Sequence, residues 1–236
     1  MVASVGTELV GMLRVDLVGD DLPGPSFNVA PTDRAAIVLD SAKSEPPIRR
    51  LESARWGLVP GWAKDLSIGA RAFNARSEEL EDKPMFRGAL EKRRAIVPVT
   101  GYYEWHRTET GKTPYFIHPE SGEPLLFAGL YEWWKDPSKP GDSPDRWVLS
   151  FTILTRAASD GLGSIHDRMP VFMDPDHADA WLDPSVDHPG DILDAAVDAA
   201  AVVADTLEAY PVGAAVGNVR NNSPELIERV PGPPLP

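Results

Sequence analysis

Apolar residues fall mostly in short alternating or continuous runs, and only a few stretches keep helical spacing. Leu9, Val10, Leu13 and Leu17 recur near a 3.6-residue period and predict a helix over residues 4–18, capped by Ser4 or Thr7. Asp20 to Ser26 is rich in Gly and Pro and reads as loop. Phe27 to Pro31 leads into a strand at Ala35–Leu39, and a second strand covers Leu51 to Leu58, ending at Val59-Pro60-Gly61. Met85 to Glu91 predicts a helix with Phe86, Ala89 and Leu90 on one side. Ala95–Val99 reads as a strand, Tyr102–Arg107 as its hairpin neighbour, and Glu109-Thr110-Gly111-Lys112 as a turn. Strands follow at Pro114–His118, Leu125–Trp134 and Arg146–Thr155, the last two separated by a Pro/Gly/Asp loop. A short helix over Asp176–Leu182, an Ala-rich helix over Gly190–Ala204, a final strand over Tyr210–Val219 and a Pro-rich tail at 231–236 complete the reading. Many short strands without regular strand–helix alternation predict an α+β fold rather than a parallel sheet, in one domain spanning residues 1–236.

Composition narrows the chemistry. A chain of 236 residues can bury a core without disulfides or structural metals. It contains no cysteine, which excludes thiolate catalysis, disulfides and Cys-ligated zinc in the chain as given. Its five histidines show no His-x-x-x-His pairing, so no metal or other cofactor is expected. No stretch approaches the length of a membrane span, and the expected location is cytoplasmic. The net charge of −13 disfavours nucleic acid as a partner, but it is unevenly distributed. Asp174 to Glu208 holds ten acidic residues and no Lys or Arg. Arg49 to Arg107 holds twelve Lys/Arg against eight Asp/Glu, a local excess of four that leaves room for a basic face.

Three compact polar motifs stand out: Asn74-Ala75-Arg76-Ser77-Glu78, Gly101-Tyr102-Tyr103-Glu104-Trp105 and Ile165-His166-Asp167-Arg168-Met169-Pro170. Taken singly, each has an ordinary structural reading. Asn74 can be a turn former or cap. Glu104 can be a hydrogen-bonded sheet carboxylate, or, partly buried, a proton shuttle with a raised pKa. His166-Asp167-Arg168 can be an ion-paired turn. Trp56 and Trp62 flank a Gly/Pro turn, where packing is the favoured reading and a stacking platform for unpaired bases the alternative. Lys92-Arg93-Arg94 reads as a solvated helix end and the acidic helix at 191–205 as a solubilising face.

Taken together, the chain resembles the SOS response-associated peptidase (SRAP) family, which shields abasic sites in single-stranded DNA. The resemblance runs from about Phe27 to Val230. It rests on those three motifs with Asn28-Val29-Ala30-Pro31-Thr32, Trp56-Gly57-Leu58-Val59-Pro60, and Asn218-Val219-Arg220-Asn221 before Pro224-Glu225-Leu226-Ile227. It implies a distorted antiparallel β-barrel with peripheral helices, acting as a monomer on single-stranded DNA at the nucleoid. It further implies that a cysteine after the initiator Met forms a Schiff base and then a thiazolidine with the abasic sugar, and removes a leader peptide where one exists. By this resemblance Asn74 holds the terminal residue, Glu104 shuttles protons and His166 assists ring opening. Arg76 and Arg168 meet phosphates, while Trp56 and Pro31 line the groove and wedge the bases. The chain departs from the pattern at Met1-Val2-Ala3-Ser4, where the family carries Met-Cys-Gly-Arg and an aromatic. The favoured reading is a start set about five residues late, judged from motif spacing. A truncation, or a variant that uses its α-amine alone, with an ordinary pKa of roughly 7.7–8.0, are the alternatives. The rival function is a catalytically inactive module that binds single-stranded DNA or a protein; a hydrolase acting on peptides ranks below both.

Overall fold

Six consecutive residues of the strand Arg34–Ser41 are buried, so this strand needs cover on both faces. A closed barrel supplies it. The computed structural model describes residues 1–3, 6–108, 111–158 and 161–232. In chain order it has α1 (Thr7–Met12), β1 (Leu17–Val18), β2 (Arg34–Ser41), β3 (Ile48–Trp56), β4 (Asn74–Arg76), α2 (Pro84–Lys92), β5 (Arg94–Val99) and β6 (Tyr102–Thr108). These are followed by β7 (Gly111–Pro119), β8 (Leu125–Lys135), β9 (Trp147–Ala157), β10 (Arg168–Pro170), α3 (Ala178–Leu182), α4 (Pro189–Ala204) and β11 (Leu207–Pro211). Short 3-10 turns lie between them.

β3, β2, β5, β8 and β9 pair in that order, all antiparallel, and β3 returns to β9 to close a five-stranded ring. The closing seam is parallel and short: Arg55 lies opposite Ser150 and Trp56 opposite Phe151. The fold is thus α+β with a barrel, as expected, and the one parallel seam is the departure from an all-antiparallel ring. Gly57 follows the seam at φ 129°, where a Cβ would lie 2.4 Å from the Gly69 carbonyl oxygen. Only glycine allows this approach. β9 also carries β4 and β10. A second sheet, ordered β11-β7-β6, packs its own small apolar cluster of Val2, Tyr103, Phe116, Val212, Val216 and Leu226. α2 buries Phe86, Ala89 and Leu90, the side its spacing selects, and packs on β5 and β8.

Several elements differ from the sequence reading. The helix expected over residues 4–18 stops at Met12: Arg14 turns to φ 51°, and Leu17–Val18 instead pairs in parallel with Arg50–Leu51. Leu9 and Leu13 are buried, but Leu17 is exposed, so only the first part of the periodic pattern faces the core. β6 is not the neighbour of β5; it pairs with β7 in the second sheet. The final strand is Leu207–Pro211, and residues 214–217 form a 3-10 turn. Arg94 is not a solvated helix end. It is 1% exposed and donates to the carbonyls of Leu90, Glu91, Trp181 and Asp183, tying α2 to α3. Ser4 as a cap, Glu109 and Thr110 of the expected turn, and residues 233–236 of the tail lie outside the described residues.

Candidate functional site

The first three residues run as an extended strand between two segments of the resemblance motifs. Val2 exchanges backbone hydrogen bonds with Gly101 and Thr100, each 2.9 Å, and Ala3 with Ser26, at 2.8 and 2.9 Å. Gly101 has no room for a side chain, because a Cβ there would meet the Phe116 ring at 2.5 Å. The Met1 α-amine donates to the Val29 carbonyl at 3.0 Å and is buried. Burial strips its water and lowers its pKa from 8.0 to about 5, although Glu104 and Asp33 pull the other way. An amine in this state is neutral, and so nucleophilic, at pH 7.

Glu104 sits half-buried on β6, with Tyr115 across the ladder. Burial raises its carboxyl pKa, while His166, the Trp105 backbone N–H and the terminal amine act against the shift. His166 lies on the loop before β10, with its side chain 45% exposed. Its Nδ1 accepts the Arg168 backbone N–H at 3.0 Å and lies 3.1 Å from Asp167 Oδ1. The Arg168 carbonyl oxygen lies 3.2 Å from the same nitrogen, so an N–H at Nδ1 would face two acceptors and a lone pair there one donor. The Arg168 guanidinium donates to both oxygens of Glu78, at 2.7 and 2.9 Å, and to the Thr155 carbonyl at 2.6 Å. Arg168 in turn holds the Glu78 carboxyl down at about 2. The expected phosphate ligand therefore already has an anionic partner and braces the histidine loop.

The structure thus gathers Glu104, His166, Asp167 and a chain-terminal amine into one electrostatic group. Asn74 and Arg76 lie on β4, paired with Ile153 and Thr155 of β9; Thr155 is also the cross-strand partner of Pro170 in β10. Asn74 faces solvent, and Arg76 is 63% exposed with only a 3.6 Å approach to Glu79. Pro31 is exposed at the tip of a turn closed by Asp33 N–H to the Ala30 carbonyl at 3.0 Å. The next residue, Thr32, takes φ 81°, a conformation disfavoured for a β-branched residue, as at other strained sites. Trp56 packs inward at the barrel seam. It is 9% exposed, its indole N–H donates to the Phe73 carbonyl at 2.8 Å, and its ring is parallel to Phe151. Trp62 is the exposed tryptophan of that motif, at 63%.

Sequence reasoning left Asn28 and Asn222 without roles. Asn28 Nδ2 donates to the carbonyls of Val216, Asn218 and Asn221, at 3.1–3.2 Å. Asn222 Oδ1 accepts the Phe27 N–H at 2.7 Å, and Tyr103 Oη donates to the Phe27 carbonyl at 2.8 Å. These bonds fix the segment against which residues 1–3 lie. The paired Asn-rich motifs were the signal, although nothing local shows that they meet. Among the described residues, no three His, Asp or Glu side chains gather as a metal site would need.

A buried neutral amine beside a carboxyl with raised pKa and an imidazole can perform amine–carbonyl condensation, with the acid managing the departing water. Comparison with known proteins is consistent in fold and sequence. The chain is 39% identical over 205 residues to abasic site processing protein YoqW of Bacillus subtilis, covering 86% of each. It is 32% identical to abasic site processing protein YedK of Escherichia coli, covering 91% of this chain and 89% of that one. A crystal structure of a Bacteroides thetaiotaomicron protein superposes with a TM-score of 0.67 at 25% identity, covering 84% of this chain and 82% of the other. A phage-related protein of Bordetella bronchiseptica gives 0.64 at 26% identity, covering 90% and 92%. The profile of the family described as SOS response associated peptidase (SRAP) matches residues 7–219, and the chain belongs to that family.

Proposed function

We propose that this chain processes abasic sites in single-stranded DNA by covalent attachment through the amine of an N-terminal residue seated where Met1 lies. The observation that carries the reading is the burial of that amine, at a lowered pKa, in the same group as Glu104 and His166. The resemblance to abasic site processing proteins supports the substrate class. The ring-opened abasic sugar presents an aldehyde. The neutral amine attacks its carbon, the nitrogen loses its protons, and the carbonyl oxygen leaves as water. Glu104, which stays protonated to higher pH than an ordinary carboxyl, donates to that oxygen and takes a proton back on reversal. His166 serves ring opening through its imidazole. Asn74 and Arg76 offer an amide and a cation on the solvent face of β4, which shares the neighbour β9 with the strand that follows His166, and Pro31 is the exposed wedge. Arg168 orients His166 rather than neutralising a phosphate. Trp56 holds the barrel seam.

With Met1 as the attacking residue there is no thiol to close a thiazolidine, so that adduct stops at the imine and remains open to hydrolysis or β-elimination of the strand. The test has two arms. The chain as given, mixed with an abasic single strand, should yield a boiling-resistant adduct only after borohydride reduction. The chain extended by Met-Cys-Gly-Arg and an aromatic should yield one without reduction. No adduct in either arm, with intact single strands still shifted in a gel, would instead identify a binding module.

A further inference from the structure

On β6, alternate side chains face opposite ways. Tyr102 packs on Phe127 and Phe172 of the main core, and Tyr103 on Phe116 of the second cluster. Glu104 and His106 therefore share the face that holds the amine and His166. The His106 ring stands edge-on to Tyr115, centroids 6.3 Å apart and planes at 73°, and Tyr115 is the ladder partner of Glu104. β6 is an edge strand, paired on one side only among the described residues. His106 Nδ1 is shut off from solvent and has no hydrogen-bond partner among the described residues. A bare lone pair is the cheaper orphan, because an N–H left there would lose a full donor bond. An N–H is therefore placed at Nε2, the nitrogen that is not enclosed.

We infer that His106 is a strand-positioning residue whose Nε2–H donates to a phosphate oxygen of the nucleotide next to the abasic site. It lies two residues along the strand from Glu104, about 7 Å, which matches one nucleotide step of an extended single strand. A ring N–H donor suits an acidic chain, since it holds a phosphodiester by geometry. The contact rests on the DNA reading above, yet it is read out separately from the chemistry.

The probe is a single strand carrying a tetrahydrofuran abasic analogue, which has no aldehyde and cannot form an imine. His106→Phe keeps the ring and its edge contact with Tyr115 but lacks the donor, and should weaken equilibrium binding about tenfold. His106→Gln retains a donor near the Nε2 position and should bind within a few-fold of the unmodified protein. A methylphosphonate placed at the linkage beside the lesion should cost the unmodified protein the same factor and His106→Phe nothing more, as a shared contact requires. Thermal midpoints of both variants check that the fold is kept. Unchanged binding by His106→Phe, or equal and additive losses from methylphosphonates at every linkage, would overturn the inference. Tight binding of the probe with no adduct on authentic abasic DNA would overturn only the covalent reading; failure to bind the probe at all would overturn both.

Discussion

The Met1 amine and Glu104 set opposite limbs of one pH profile. An ordinary α-amine with a pKa of 8.0 would lose about fifty-fold of its neutral form between pH 8 and pH 6. With its pKa near 5, the buried amine stays mostly neutral over that range, so borohydride-trapped adduct formation should fall less than tenfold from this source. Glu104 titrates the other way: its raised pKa extends the acid form upward from the ordinary carboxyl range, and its donation is lost as pH rises through that raised value. Glu104→Gln should slow trapping by about a hundredfold and remove this falling limb; an unaltered profile in the variant would show that another group supplies the proton. Glu104 and His166, which the fold brings into one electrostatic group, each sit in a short polar motif of unusual composition, as does the solvent-facing Asn74. The amine was not legible in the sequence, since its pKa is set by burial, and burial depends on segments 26–29 and 100–101 closing around residues 1–3. Arg168 and Trp56 illustrate the opposite limit. Their residue types suit phosphate and base, but only the fold reveals Glu78 and Phe151 as the partners they have.

At the scale of elements, strand positions follow from apolar runs, whereas pairings depend on distant chain. β5 and β6 are adjacent in sequence and separated by only two residues, yet they enter different sheets because Gly101 gives passage to Val2 between them. No local pattern encodes that. The same applies to Arg94, which closes a cationic run and turns inward to four carbonyls. Arg94→Ala should destabilise the chain by about 3 kcal/mol or more, measured by urea unfolding, because several buried acceptors lose their donor at once. Asn28→Ala should cost about 1–3 kcal/mol by the same measurement. It should also make residues 214–222 more accessible to protease, since Asn28 holds three carbonyls of that segment.

Across the whole molecule, charge and closure govern behaviour. A chain of net charge −13 that commits Arg168 to Glu78 has few cations left for phosphate near the site, with Arg76 the clearest. The slope of log binding constant against log salt should therefore lie between about −0.7 and −2, the range for one to three neutralised phosphates on a single strand. A steeper slope would point to a basic track elsewhere on the surface. The ring itself is held at its parallel seam by two residue pairs. The Pro31 turn hangs from the same place: Thr32 donates to the Trp56 carbonyl, and Trp56 donates to the Asp33 carbonyl, both at 2.8 Å. The exposed Pro31 turn and the barrel's fastening are thus one cooperative unit, and amide exchange at Thr32, Trp56 and Gly57 should show a common opening energy. Any ligand that presses on that turn would be felt as tension across the clasp of the barrel.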